Sequence, residues 1–182
     1  MSAATRVRRV LIRRGRVSDL PAVMEIERAS FPTPWSESAM RRELACQDNS
    51  YVLVAETGKR AAGYVVTWVG AEEAHVLNVA VAPDRRGQGL GELLMLSAIE
   101  EAMSRGCRRV VLEYRVSNLA AANLYRKLGF VAAGVRPRYY ADTGEDAVFA
   151  VLHDLQSPGM SRFLADCREA WRKKHDWTVV YD

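Results

Sequence analysis

Asn78-Val79-Ala80-Val81-Ala82-Pro83-Asp84-Arg85-Arg86-Gly87-Gln88-Gly89-Leu90-Gly91 decides how this chain reads. A β-type run, Val76 to Val81, gives way to a basic, glycine-dense turn. The turn leads straight into an apolar helical segment carrying Leu90, Leu93, Leu94, Leu96, Ile99 and Met103. Glycines lack the Cβ atoms that keep a ligand off the main chain, so successive backbone N–H groups can converge on one anion. The helix that follows adds its own unpaired N–H groups and the positive end of its dipole. Arg85 and Arg86 supply formal charge beside it. The ligand that suits this arrangement is a phosphate or pyrophosphate, and a side chain introduced at Gly89 is expected to intrude on it.

Two common phosphate-binding designs fail against these residues. A P-loop requires Lys and then Ser or Thr after its last glycine, whereas Gly91 is followed by Glu92 and Leu93. A dinucleotide fold places Gly-x-Gly-x-x-Gly directly after the strand, with an acidic residue about 20 positions on. Glu113 imitates that acid, but the glycines here fall at 87, 89 and 91, and the segment Ala82 to Arg86 separates them from the strand. The remaining design is Arg/Gln-x-x-Gly-x-Gly/Ala, met by Arg86-Gly87-Gln88-Gly89-Leu90-Gly91. It resembles the acetyl-CoA pyrophosphate loop of the GNAT N-acetyltransferases.

Three further segments carry the same resemblance, in the order the family uses. Val110-Val111-Leu112-Glu113-Tyr114-Arg115-Val116-Ser117-Asn118 followed by Ala120 to Phe130 is similar to the second cofactor segment of ribosomal-protein-alanine N-acetyltransferases of the RimI type. Phe31-Pro32-Thr33-Pro34-Trp35-Ser36 resembles that subgroup's substrate loop. Arg138-Tyr139-Tyr140-Ala141-Asp142 with Gly144 to Ala147 resembles its last hairpin. The resemblance covers residues 8–155 and implies an α/β GNAT fold: a mixed, largely antiparallel sheet of about seven strands flanked by about four helices. Residues 1–7 then form a basic arm, and 156–182 a C-terminal extension that the resemblance does not reach.

Composition narrows the function classes. A chain of 182 residues is long enough for one full hydrophobic core, and 49% apolar with 26% charged residues is ordinary for a globular protein. No apolar run approaches the ~20 residues a membrane span needs, and no apolar segment follows the arginine-rich start, so a cytoplasmic protein without membrane contact is expected. Cys46, Cys107 and Cys167 are widely spaced, which reads as buried, reduced thiols; His75, His153 and His175 are scattered as well, and no metal site is expected. The net charge of +4 comes from six arginines among the first 16 residues. Without those six, 20 of the 26 basic residues stand against 22 acidic ones. A DNA-binding face is therefore not supported, and the arginines read as a solvated tail, with ribosomal RNA or an acidic partner as the alternative.

Periodicity supplies the coarse order of elements. Val10 to Arg14 reads as a strand, Asp19 as the cap of a helix over Leu20 to Ala29, and Ser36 as the cap of a second helix to Ala45. Tyr51 to Glu56 and Ala61 to Val69 form a hairpin around Thr57 to Arg60, and Ala74 to Val81 is the next strand. A buried helix runs from Leu90 to Arg105, then a strand from Val110 to Tyr114 and a helix from Leu119 to Leu128 capped by Ser117 or Asn118. Val131 to Arg136 and Asp146 to His153 complete the sheet, with Tyr139 and Tyr140 opening the loop between them. Beyond Ser157, Phe163, Leu164, Cys167 and Trp171 share one helical face and are expected to pack on the body; Trp177 to Tyr181 suits a short strand.

Acetyl transfer to an amine needs a held cofactor, a deprotonated amine, a stabilised oxyanion and an acceptor for the thiolate. The resemblance assigns Arg86, Gly87, Gln88, Gly89, Leu90, Gly91 and Glu92 to the cofactor phosphates, and backbone groups of Val79, Ala80 and Val81 to its acetyl end and pantetheine arm. Asn118 contacts the cofactor by the same resemblance, or is a plain helix cap. Glu113 is out of place in an apolar strand unless useful, and the resemblance makes it the base for the amine; otherwise it is an edge glutamate facing water. Tyr125 takes the position facing the departing sulfur, or is a core tyrosine under Phe130. Phe31, Pro32 and Trp35 with Tyr139 and Tyr140 look like two walls of a peptide slot. The implied activity is acetylation of a protein N-terminus, a ribosomal one above all, by acetyl-CoA. The alternatives are a small amine or lysine as acceptor, and a non-catalytic acetyl-CoA sensor.

Overall fold

The computed structural model describes residues 8–46 and 48–182, so the basic arm assigned to 1–7 lies outside the described residues. The elements in chain order are β1 (Arg8–Arg14), α1 (Leu20–Ser30), α2 (Glu37–Ala45), β2 (Ser50–Thr57), β3 (Arg60–Gly70), β4 (Glu73–Val81), α3 (Leu90–Ser104), β5 (Arg109–Arg115), α4 (Leu119–Lys127), β6 (Val131–Tyr140), β7 (Glu145–Leu152), α5 (Pro158–Lys174) and β8 (Trp177–Tyr181). The strands form one sheet in the order β6-β7-β5-β4-β3-β2-β1-β8. The expected GNAT α/β fold is met by eight described strands and five α-helices. Pairing is antiparallel except between β4 and β5 and between β1 and β8.

Period-two alternation divides the core between the two faces of the sheet. Tyr51, Leu53 and Ala55 of β2 join α3 and α5 in one cluster, while Val52 and Val54 join α1 and α2 in the other. α3 is apolar nearly all round because it lies between the sheet and α5; Leu93, Leu94, Met95, Leu96 and Ile99 have no exposed surface. The expected face of α5 is the one that packs: Leu164, Cys167 and Trp171 enter the α3-side core, with Phe163 against it. β8 then adds alongside β1, in register Arg8↔Trp177 to Ile12↔Tyr181.

Three expectations need correction. The arginines from Arg8 to Arg14 are strand residues rather than a solvated tail. Arg13 is buried, with both terminal guanidinium nitrogens on Asp19 at 2.8 Å and Nε on Glu56 Oε2 at 2.8 Å, and Arg14 pairs with Glu101. Asp19 therefore serves Arg13 and the Arg16 N–H instead of capping α1 with its side chain. Burial pushes the Asp19 carboxyl up, but the Arg13 guanidinium and the Arg16 N–H outweigh it and hold the group below its usual range. Cys46 is exposed, unlike the buried Cys107 and Cys167.

Trp171 links the extension to the body and is fully buried. Trp171→Ala is expected to cost about 3–5 kcal/mol of stability, read as a shift of the urea midpoint. A loss below about 1 kcal/mol would show that α5 does not share the core.

Candidate active site

A single irregularity in β4 builds the site. Asn78 pairs with Val66 of β3, but the next residue of β3, Thr67, pairs with Val76, so Leu77 is an extra residue with no partner of its own. Such a bulge reverses the alternation of faces beyond it. Ala74 and Val76 belong to the α3-side core before it; after it Val79 and Val81 pack on that side, and Ala80 joins the α1-side cluster. β5 follows β4 only from Glu73↔Arg109 to Val76↔Leu112. Past that point β4 continues along β3 and β5 along β7, and the sheet opens between them. A cleft of about 530 Å³ occupies the opening.

The cleft gathers Phe31, Pro32, Trp35, Val79, Glu113, Asn118, Tyr125, Tyr139 and Tyr140 from the residues expected in the site. Arg86 to Glu92 lie outside its walls, at the start of α3. Tyr139 and Tyr140 close β6 instead of opening a loop, since the strand runs on to Tyr140. They stand edge to face at 5.3 Å, and the Arg115 guanidinium lies 3.9 Å over Tyr140. Arg115 also binds Asp142 at 2.7 Å and Glu145 at 3.3 Å, and Asp142 accepts from the Thr33 hydroxyl at 3.3 Å. The two aromatic walls are thus latched to each other.

The wall from α1 is held by a residue the sequence reading missed. Glu27 has no exposed surface, and its carboxylate accepts from the Trp35 N–H at 2.8 Å, from Asn78 Nδ2 at 3.0 Å and from the Tyr64 hydroxyl. A carboxylate taken out of water needs this many donors. The available signal was its spacing: Leu20, Val23, Met24 and Glu27 share the buried face of α1.

Glu113 sits in an interior strand, with its side chain 7% exposed, so it is not an edge residue facing water. His75 Nε2 lies 2.6 Å from Oε2 and Arg136 Nε 3.1 Å from Oε1. Neither partner was legible in the sequence, because His75 arrives through the β4–β5 register and Arg136 from across β7. Tyr125 is buried, with Tyr114 at 5.4 Å and Phe130 at 5.8 Å between ring centres, so its core packing and its place in the cleft wall coexist. Burial first, then the neighbouring Tyr140 and Tyr114, push its hydroxyl well above the ordinary phenol range. Asn118 Oδ1 accepts from the Ala121 N–H at 3.0 Å and so caps α4.

At the start of α3 the first helical bond is Leu93 N–H to Gly89 O, which leaves the N–H groups of Leu90, Gly91 and Glu92 in the unpaired first turn. Gly87 (φ 73°) and Gly89 (φ 82°) shape the turn before it. Unpaired N–H groups converging at a helix start have the chemistry to receive an anion. Arg86 contributes differently from expectation: its guanidinium is tied to Val81 O at 3.1 Å and Ser30 Oγ at 2.9 Å, anchoring the turn to α1. Gly89 also needs correction. A Cβ there would lie 2.6 Å from both Trp171 Nε1 and His175 Nε2, so it would meet the C-terminal extension first. Gly89→Val is therefore expected to destabilise the fold by about 2–5 kcal/mol, from overpacking and a β-branched residue at positive φ. Unchanged thermal melting in that variant would refute this close approach.

The chain is 39% identical over 137 residues to the ribosomal protein bS18-alanine N-acetyltransferase of Escherichia coli (strain K12), covering 74% of this chain and 91% of that one. The crystal structure of the ribosomal-protein-S18-alanine N-acetyltransferase from Escherichia coli superposes with a TM-score of 0.74 at 35% identity, covering 80% of this chain and 94% of that chain. The ribosomal-protein-alanine N-acetyltransferase from Brucella melitensis gives 0.70 at 26% identity, over 78% and 98%. The model of the Acetyltransferase (GNAT) family matches residues 20–130, from the start of α1 to the end of the turn after α4, and the chain belongs to that family.

Proposed function

We propose that this enzyme transfers an acetyl group from acetyl-CoA to the α-amine of a protein N-terminus, with the N-terminal alanine of ribosomal protein S18 as the first acceptor to test. The observation that carries the reading is Glu113, a carboxylate inside a cleft with the aromatic Phe31–Trp35 loop on one side and the Tyr139–Tyr140 end of β6 on the other, placed where the sheet opens. The names of the Escherichia coli relatives support the acceptor. The walls support it too, since Phe31, Pro32, Trp35, Tyr139 and Tyr140 offer apolar surface suited to a peptide end rather than to a small polycation.

Acetyl-CoA supplies an activated acetyl thioester. Gly87 to Glu92 bind its phosphates through backbone N–H groups, and main-chain groups of Val79 to Val81 line the acyl end, where an N–H can stabilise the oxyanion. Glu113 takes the proton of the incoming ammonium, whose pKa near 8 leaves it mostly charged at neutral pH. His75, at 2.6 Å from the carboxylate and partly exposed, offers that proton a way to solvent. Tyr125 donates a hydrogen bond to the departing sulfur. Burial weakens the phenol as an acid, which favours hydrogen-bond stabilisation of the thiolate over complete proton transfer.

Among peptides beginning Ala, Ser, Met and Gly, the Ala peptide of S18 is expected to be acetylated fastest; equal rates on a free polyamine would overturn the acceptor assignment. Glu113→Gln is expected to lower kcat/KM by roughly 10²–10⁴, with acetyl-CoA affinity little changed. The loss should shrink as pH rises through the amine pKa, because the acceptor then arrives already neutral. Tyr125→Phe is expected to slow turnover by roughly 10- to 100-fold with no such rescue. Wild-type turnover by Glu113→Gln at neutral pH would remove that residue from the mechanism.

A further inference from the structure

The family match ends at residue 130, so α5 and β8 lie beyond it. Two indoles from this extension nevertheless reach the anion-binding turn. Trp171 Nε1, in the last turns of α5, donates to Gly89 O at 2.8 Å, and Trp177 Nε1, the first residue of β8, donates to Gln88 O at 3.0 Å. Two consecutive carbonyls of one short loop are therefore each held by a side chain more than eighty residues away. In a trans peptide the carbonyl and the following N–H point in opposite directions. Holding Gln88 O fixes where the Gly89 N–H points, and Trp171 joins the Leu93 N–H on Gly89 O in fixing the Leu90 N–H.

We propose that Trp171 and Trp177 are positioning residues for cofactor binding, which turn the Gly89 and Leu90 N–H groups toward the pyrophosphate of CoA by fixing the carbonyls of the same peptide units. The inference rests on the reading of residues 86–91 as the pyrophosphate loop. The supports around the indoles fit this role. Arg8 stacks 4.0 Å over the Trp177 ring and donates to the side chain of Gln88, so β1 and β8 hold that residue from both ends. His175 stacks on Trp171 with 5.2 Å between ring centres and closes over Gly89, where no Cβ could fit. A turn with two residues at positive φ has many alternatives in a free chain, and a binding site fixed in advance spends less affinity on ordering.

The test compares two acyl donors, acetyl-CoA and S-acetylpantetheine, which share the reacting thioester but differ in the pyrophosphate and nucleotide. The wild-type enzyme is expected to favour acetyl-CoA strongly in kcat/KM. Trp171→Phe and Trp177→Phe keep an aromatic ring and remove only the N–H donor. Each is expected to reduce that preference by about two- to tenfold, through acetyl-CoA alone. An unchanged preference in both variants, or an equal loss with both donors, would overturn the positioning role while leaving the loop assignment intact. No preference in the wild-type enzyme would instead overturn the loop assignment, and the inference with it. Should Trp171→Phe fail to fold, Trp177→Phe decides alone, because that ring is only partly buried.

Discussion

Everything in the site follows from a pair of parallel strands that stay together for four residue pairs and then diverge. Interstrand hydrogen bonding would favour continued pairing of β4 and β5, because an unpaired strand edge leaves main-chain groups without partners. The extra residue at Leu77 turns β4 just after its last pair with β5, and from there each strand is committed to its other neighbour. The inner edges of the opening present main-chain donors and acceptors that a bound chain can satisfy. An extended acyl carrier with amide groups along it has the chemistry to lie there. The bulge also exchanges the faces of β4, bringing Asn78 to the side where Glu27 waits and Val79 to the α3 side.

Around that opening, charge is placed so that each wall fixes the next. Glu27 ties α1, β3, β4 and the Phe31–Trp35 loop through three donors, and removing any one would leave a buried oxygen short of a partner. Arg115 organises the opposite wall with Asp142, Glu145 and the Tyr140 ring. The Asp142 carboxyl is held below its usual range, first of all by the hydrogen bond from Arg115. Thr33 joins the walls through the same Asp142, so the geometry of one loop is transmitted to the other. Glu113 stands between them with Arg136 and His75 on its two oxygens, which orients the carboxylate rather than leaving it free to rotate.

Much of this was legible from local pattern. Strand alternation, the Ser36 and Asn118 caps and the turn before α3 are encoded within a few residues, and those elements stand where the pattern puts them. The aromatic walls and Glu113 of the cleft were legible because their family segments are contiguous, while Glu27 was not. What escaped depends on register and on distant partners. No local pattern announces that one extra residue at Leu77 will separate β4 from β5, or that His75 will meet Glu113. The arginine cluster misled for the same reason: its charge looked like a tail's, while the acids that absorb it, Asp19, Glu56 and Glu101, are spread over three other regions of the chain.

The C-terminal extension shows how a glycine-rich turn can acquire support from distant parts of the chain. A strand-to-helix turn rich in glycine can approach phosphates closely, but its freedom in the unliganded chain opposes a single arrangement of donors. Anchors come from four directions here: Arg86 to the end of α1, Gln88 Nε2 to Asp84 O at 3.1 Å, and the two indoles to adjacent carbonyls. The α5 helix is fixed in turn by apolar burial against α3 and by Arg168, which binds Glu100 at 2.5 and 2.9 Å and also reaches Tyr181 of β8. Arg168 thus ties both α5 and the end of β8 to the body of α3, the helix that follows the turn. Trp171 is held through α3 and Trp177 through the sheet, so the turn is supported from both sides of the packing between α3 and the sheet.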